Sequence, residues 1–146
     1  SDKFSEIVTK KVVKAPYVSG ALEFISSNKN YKMFISTATP QNEIITILNL
    51  KKTIKYFDIV LGSPKSKSEH IKLIINESKL KNNELVYIGD SFSDKEAADN
   101  NNVYFIGIDS ENFFNSKTPT IKDFKSLEVF IDGIDNLWIF ILNLFH

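Results

Sequence analysis

Two aspartates follow an apolar run in a pattern that suits metal binding. Residues 85–88 read Leu-Val-Tyr-Ile and continue directly into Gly89 and Asp90, and Asp94 follows four positions later. A run of this kind predicts a strand buried on both faces, and the glycine permits a sharp turn at its end. Asp90 would then lie at the carboxyl end of the strand, where open α/β sheets bind their ligands. Carboxylate oxygens at that place suit Mg²⁺.

Two further polar segments follow predicted strands earlier in the chain. Residues 36–40 (Ser-Thr-Ala-Thr-Pro) and residues 62–69 (Gly-Ser-Pro-Lys-Ser-Lys-Ser-Glu) each come after a short apolar run. Parallel strands bring their carboxyl ends to one edge, so we expect a hydroxyl, a lysine and a carboxylate to converge there. The hydroxyl and nearby backbone N–H groups would hold phosphate oxygens, and Lys65 or Lys67 would neutralise phosphate charge. Asp90 would hold the metal that bridges phosphate and protein.

Each of these groups also has a simpler interpretation. The aspartates could lie in a surface turn and cap a helix that begins near Ser93, and Thr37 or Thr39 could cap the helix after its own strand. Either lysine could be a solvated loop residue. One such match would favour the simpler interpretation, but three matches in the order expected along one sheet edge favour a phosphate and Mg²⁺ site.

Strands and helices alternate along the chain. Apolar runs predict strands at 33–36, 59–61, 85–88 and 103–108. Two of the predicted helices are one after Pro16, with Val18, Leu22, Phe24 and Ile25 inward, and one that begins near Pro40 and Asn42. The next two are one capped by Ser66 or Ser68, with Ile71, Ile74 and Ile75 inward, and one from Ser93 to about Asn100. The alternation predicts a three-layer α/β fold whose parallel sheet has four strands.

The ends of the chain have other patterns. Residues 2–13 predict a lysine-rich exposed helix, and residues 109–125 are irregular and rich in Asn, Ser and Asp. Residues 126–145 predict a last apolar helix, or a pair of helices bent at Gly133. The predicted division is a helix within 1–14, an α/β core at 15–125 and a helical segment of the same domain at 126–146.

Composition narrows the class of protein without indicating a reaction. A chain of 146 residues with 42% hydrophobic and 25% charged residues is typical of one globular domain. The net charge is zero, so we expect no nucleic-acid partner. The chain has no Cys, which excludes disulfides and cysteine metal sites and fits a cytoplasmic protein. Its longest apolar run, 137–145, is too short to span a bilayer, so we expect no membrane partner.

The motifs together resemble those of the haloacid dehalogenase-like (HAD) hydrolases, most of which are Mg²⁺-dependent phosphatases. The resemblance covers about residues 15–110, and its most specific part is the apolar strand followed by G-D-x-x-x-D. It implies a Rossmann-like core, a small phosphorylated metabolite as substrate and Mg²⁺ as cofactor. By this resemblance Thr37, Ala38 and the motif lysine would bind phosphate. Asp90 would ligate Mg²⁺, and Asp94 would support the metal or its waters.

The motif lysine has two candidates. Lys65 begins K-S-K-S-E, which is similar to the K-P-x-P-D form of the phosphoglycolate phosphatase-like branch. Lys67 begins K-S-E-x-I, which is similar to the K-G-E-x-L form of the phosphoserine phosphatase-like branch. Either spacing to Asp90 suits its own branch. We favour Lys67 because it directly precedes a predicted helix start, whose N-terminal amides face the same edge.

The sequence departs from the family at the first motif. These hydrolases begin with a strand that ends in D-x-D, in which the first Asp attacks phosphorus and the second acts as acid and base. No D-x-D follows an apolar strand here, and Asp132 and Asp135 have the wrong spacing. Residues 1–14 resemble the end of a cap domain. The resemblance therefore implies a truncated, inactive core that lacks its first strand and most of its cap.

A missing first strand would leave a gap in the middle of the predicted sheet. Residues 2–13 or 126–145, a second copy of the chain, or the absent segment as a separate chain could fill this gap. We therefore expect a homodimer or an association with the missing segment. The alternative function is a non-catalytic phosphate- or partner-binding α/β domain. A receiver-like or flavodoxin-like domain is a weaker alternative, since the phosphorylated Asp of a receiver has no counterpart here.

Overall fold

The computed structural model describes residues 17–27, 31–109, 113–127, 131 and 139–142, the last range for its backbone. The helices among these residues are α1 (Ala21–Ser27), α2 (Gln41–Leu50), α3 (Lys67–Ser78) and α4 (Phe92–Asn100). The strands are β1 (Lys32–Pro40), β2 (Ile59–Ser63), β3 (Leu85–Gly89), β4 (Tyr104–Ile108), β5 (Thr120–Ile121) and β6 (Ile139–Leu142). Short 3₁₀ turns lie at Ile54–Tyr56, Asn82–Glu84 and Phe124–Ser126. None of the helices in these ranges is long and apolar enough to cross a membrane.

All six strands of the described chain form one parallel sheet in the order β2-β1-β6-β3-β4-β5. This confirms the predicted α/β fold, but the predicted number of four strands is too small. β5 lies inside the segment that was expected to be irregular, and it pairs with β4 through Gly107 and Thr120. Two residues make too short a pattern to be recognised as a strand in sequence.

The prediction of helix for the C-terminal segment is wrong at residues 139–142. These residues form β6, in which Leu142 is the register partner of both Ile35 and Ile88. A run of four apolar residues fits a buried strand as well as a helix, and two open strand edges decide in favour of the strand. The sheet gap is thus filled from 126–145, one of the expected alternatives. The predictions for residues 2–13, the bend at Gly133 and the Asp132–Asp135 segment lie outside the described residues.

The core consists of two apolar layers, one on each face of the sheet. Side chains alternate along β3, so Val86 and Ile88 point to one face and Leu85 and Tyr87 to the other. On the first face they pack with α1 and α2, through residues that include Phe24, Ile25, Ile44 and Leu48. On the second face they pack with α3 and α4, through residues that include Ile71, Ile74, Ala97 and Ala98. These layers confirm the three-layer architecture.

One detail of the helices differs from the sequence prediction and another confirms it. In α1, Leu22 is 41% exposed, whereas Ala21, Phe24 and Ile25 are buried. The helical period places positions 21, 24 and 25 on one face and turns position 22 away from the core. In α3 the predicted cap is confirmed as Ser66, whose Oγ accepts the Glu69 N–H at 3.1 Å.

Candidate phosphate and metal site

The strand ends bring the predicted phosphate-binding groups to one cavity. The end of β1 carries Thr37 and Ala38, and the loop after β2 carries Lys65 and leads into α3, which begins at Lys67. These four residues and Ser93 of α4 line a cavity of about 420 Å³. The parallel sheet is the reason, since it collects the carboxyl ends of β1, β2 and β3 at one edge.

Of the two candidate lysines, Lys67 contacts the acidic motif. Its Nζ lies 2.8 Å from Asp94 Oδ1, and the Asp94 side chain is fully buried while that of Lys67 is 14% exposed. The same ammonium donates to Ser93 Oγ at 2.9 Å. Lys65 is exposed on the loop before α3. The ammonium of Lys67 is therefore held at the sheet edge by a buried negative charge.

Asp94 also fixes the turn that follows β3. Its Oδ2 accepts the backbone N–H groups of Asp90 at 3.1 Å and Ser91 at 3.2 Å. In return, Ser91 Oγ accepts the Asp94 N–H at 3.2 Å, which completes a capping box at the start of α4. The capping interpretation of Asp94 is thus correct, but the surface turn is not, because this carboxylate is buried.

Gly89 is required for close approach rather than for an unusual backbone angle. Its φ is outside the positive region in which Gly20 lies. A Cβ at position 89 would instead collide with the Asp94 carboxylate. The glycine of the G-D-x-x-x-D motif therefore makes room for the carboxylate beneath the turn.

Thr37 does not cap the helix that follows it. The N-cap position of α2 is Pro40, and no side chain makes a capping hydrogen bond there. Thr37 Oγ1 instead accepts the Thr39 N–H at 3.1 Å and donates to Thr39 Oγ1 at 3.1 Å. These local bonds hold the half-buried Thr37 hydroxyl at the end of β1, beside the cavity.

The acidic residues provide part of a metal site. Asp90 is exposed at the strand edge, which suits a ligand of Mg²⁺. Asp94 already accepts hydrogen bonds at both oxygens, from Lys67, Tyr87, Asp90 and Ser91, so it fits a supporting role better than direct ligation. Within the described ranges there is no group of three His, Asp or Glu residues that could hold a metal ion. Asp90 would therefore hold a metal ion together with water or with groups outside these ranges.

Sequence reasoning missed a buried polar network behind the site. The Tyr87 hydroxyl donates to Asp94 Oδ1 at 3.0 Å and lies 3.2 Å from Ser36 Oγ. Ser36 Oγ lies 2.8 Å from His70 Nδ1, and His70 Nε2 lies 3.0 Å from the Gly62 carbonyl oxygen. The available signal was a Tyr and a His at positions that the apolar patterns predict to be buried, since buried polar groups need partners.

Burial controls the protonation of this network. Desolvation, the negative charge of Asp94 and the hydrogen bond to it raise the pKa of Tyr87 well above its usual value. Desolvation also lowers the pKa of His70 below its usual value, against the opposing effects of the Gly62 carbonyl and Glu69. Tyr87 is therefore a neutral donor and His70 a neutral imidazole near pH 7.

Fold and site together define an α/β protein whose parallel sheet carries a hydroxyl, a lysine and two aspartates at the edge where its strands end. The sequence model of the haloacid dehalogenase-like hydrolases matches residues 1–108. The chain belongs to this family of hydrolases, as its motifs predicted.

The fold is similar to that of several solved structures. A HAD-superfamily hydrolase from Ehrlichia chaffeensis is 22% identical, with a TM-score of 0.68, and the match covers 80% of this chain and 58% of that one. For a HAD phosphatase from Thermococcus onnurineus the identity is 25%, the TM-score 0.64 and the coverage 77% and 55%. The core domain of a proposed phosphoglycolate phosphatase from Streptococcus pneumoniae is 22% identical, with a TM-score of 0.65. That match covers 84% of this chain and 90% of the core domain.

This chain is shorter than most of the solved structures that it resembles. This chain spans 58% to 60% of the length of the first three solved relatives. It spans 90% of the Streptococcus pneumoniae core domain, so the likeness is to the core of such proteins. No protein with a curated description matches the chain significantly.

Proposed function

We propose that this chain is the core of a Mg²⁺-dependent phosphatase that acts on small phosphate monoesters. The observation that carries the proposal is the 2.8 Å contact between Lys67 Nζ and Asp94 Oδ1, beside the cavity that Thr37 and Ala38 also line. The contact holds a cation where phosphate oxygens would enter. A fixed cation of this kind stabilises negative charge without reorganisation.

The other groups at the edge have complementary roles in this proposal. The Thr37 hydroxyl would rotate away from Thr39 Oγ1 to donate to a phosphate oxygen, and the backbone N–H of Ala38 would donate to another. Lys67 would neutralise phosphate charge. Asp90 would hold Mg²⁺ with further ligands from outside the described residues, and Asp94 would position the Asp90 backbone. The metal, when bound, would draw negative charge from the phosphate oxygens.

We also propose that this chain alone does not hydrolyse phosphate esters. In the family the reaction needs the D-x-D nucleophile, and the strand between β1 and β3 here reads Ile-Phe-Ile-Leu. Without that carboxylate no aspartyl-phosphate forms, and losing a covalent nucleophile costs orders of magnitude in rate. We therefore propose a cytoplasmic chain that binds a phosphorylated metabolite, as a homodimer or together with a segment that carries D-x-D.

A non-catalytic phosphate-binding domain is the second candidate. The carboxylate-free sequence of β6 favours it, because β6 occupies the place that the resemblance assigns to the nucleophile strand. The coding sequence upstream of residue 1 separates the two. A strand that ends in D-x-D-G-T would favour the phosphatase core, and its absence would favour the binding domain.

Titration calorimetry with inorganic phosphate and Mg²⁺ tests the binding claim. Lys67→Met should weaken phosphate binding by about tenfold, because it removes a charge-assisted contact. The matched control is Lys65→Met on the exposed neighbouring loop, which should stay within about twofold to threefold of the unchanged protein. Equal effects of the two substitutions would contradict the assignment of Lys67.

A turnover assay tests the second half of the proposal. The unchanged chain should not hydrolyse p-nitrophenyl phosphate in the presence of Mg²⁺. Robust Mg²⁺-dependent hydrolysis that Asp90→Asn abolishes would mean that a nucleophile is present and has been overlooked.

A further inference from the structure

The buried polar network behind the site forms a ring that is closed by one turn of the α3 backbone and not by a hydrogen bond. It begins at Lys67, passes through Asp94, Tyr87 and Ser36, and reaches His70, which lies one turn from Lys67 on α3. Asp94, Tyr87, Ser36 and His70 are all fully buried. The described part of the chain contains no buried side-chain polar atom without a hydrogen-bond partner, so the ring is fully satisfied. A satisfied polar network of this kind rigidifies its surroundings.

The hydrogen positions follow from the partners. A carbonyl oxygen can only accept, so His70 Nε2, 3.0 Å from the Gly62 oxygen, carries the hydrogen. The unprotonated Nδ1 then accepts the Ser36 hydroxyl at 2.8 Å. Tyr87 shares its one hydrogen between Asp94 Oδ1 at 3.0 Å and Ser36 Oγ at 3.2 Å. Each link therefore has a defined direction.

The ring includes one group from each of the strands β1, β2 and β3. Ser36 directly precedes Thr37 on β1, Gly62 lies near the end of β2, and Tyr87 lies on β3. It joins these strands to α3 and α4 through side chains rather than through the sheet ladder.

We propose that Tyr87, Ser36 and His70 are positioning residues that hold Thr37 and Lys67 in register for phosphate. None of the three lines the cavity, so they act through the residues that do. The proposal rests on the proposed function, because it assumes that phosphate binds between Thr37 and Lys67.

The test uses Tyr87→Phe, which removes the hydroxyl group and keeps the buried aromatic side chain. Loss of this link should weaken the binding of inorganic phosphate by about fivefold, the effect of one hydrogen bond. It should also shift the NMR signals of the Thr37 amide and the His70 ring nitrogens. The matched control is Tyr104→Phe, at a tyrosine that is 40% exposed on β4, and neither quantity should change.

A substitution pair at position 70 supplies a second, independent test. His70→Gln keeps one donor and one acceptor, so its phosphate affinity should stay within about twofold of the unchanged protein. His70→Leu keeps neither and should lose about fivefold, like Tyr87→Phe. A residue with only a packing role would show the reverse order or no difference. This pair also decides the matter if Tyr87→Phe fails to fold.

The outcomes separate this inference from the proposed function. If the unchanged protein binds no phosphate, the proposed function fails, and the NMR shifts alone then test the positioning role. If Tyr87→Phe folds and leaves both the phosphate affinity and the Thr37 and His70 signals unchanged, the positioning role is overturned whether or not phosphate binds.

Discussion

Asp94 and Lys67 form an ion pair that is almost entirely removed from solvent. Burying a charge is costly unless it is paired and hydrogen-bonded. Asp94 meets this condition, because both of its carboxylate oxygens accept hydrogen bonds. The pair serves the site more than the stability of the fold, since a buried ion pair often does no better than apolar residues of equal size. Its value here is the fixed place of the Lys67 ammonium.

Removing one partner of this pair should be strongly destabilising. Asp94→Asn would leave Lys67 without a compensating charge, and we expect the free energy of unfolding to fall by about 3 kcal/mol. The control is Asp99→Asn, which breaks the ion pair with Lys95 at an aspartate that is 56% exposed. That change should cost less than about 1 kcal/mol. Urea unfolding followed by circular dichroism measures both, and similar losses would refute the importance of burial.

At the scale of elements, β6 determines whether the sheet is continuous. Deleting residues 139–146 should open strand edges on β1 and β3, which then pair with other chains. We expect stronger self-association by light scattering at low micromolar concentration and a less cooperative thermal transition. Deleting residues 143–146 is the control, because it keeps β6. Equal behaviour of the two shortened chains would contradict the central position of β6.

The elements also show what the sequence could predict. Strands β1 to β4 and helices α1 to α4 were predictable because local apolar patterns mark them, and a serine near the start also marks α3 and α4. β6 was not, because its strand state depends on two partners that are distant in sequence. The same holds at the site: Asp90 and Asp94 follow a local motif, whereas the ring through His70 exists only after α3 packs on the sheet.

At the scale of the whole molecule, His70 links stability to pH. Burial lowers its folded pKa below the unfolded value of about 6.5, so the unfolded chain binds the proton more readily. The contribution of neutral His70 to the free energy of unfolding is complete above about pH 6.5. It is lost as the pH falls from there to the lowered pKa of the folded state. The loss is at most about 1.4 kcal/mol per pH unit. Lys65, Lys67 and Glu69 are the charged groups that act on it.

Urea unfolding between pH 7 and pH 5 checks this expectation. The unchanged protein should lose stability over this range, and His70→Gln should show a flatter dependence because the glutamine does not titrate. Parallel curves for the two proteins would mean that other groups cause the effect. Measurements above pH 5 keep the contribution of carboxylate protonation small.

The place of β6 has a consequence for the time course of folding. The last described strand pairs with the first, so the centre of the sheet closes only after residues 139–142 are available. Until then the β2-β1 pair and the β3-β4-β5 group are separate half-sheets whose inner edges are open. Contacts between residues so distant in sequence slow folding. During synthesis, therefore, the nascent chain should expose these inner edges, and be prone to aggregation, until residues 139–142 have been translated.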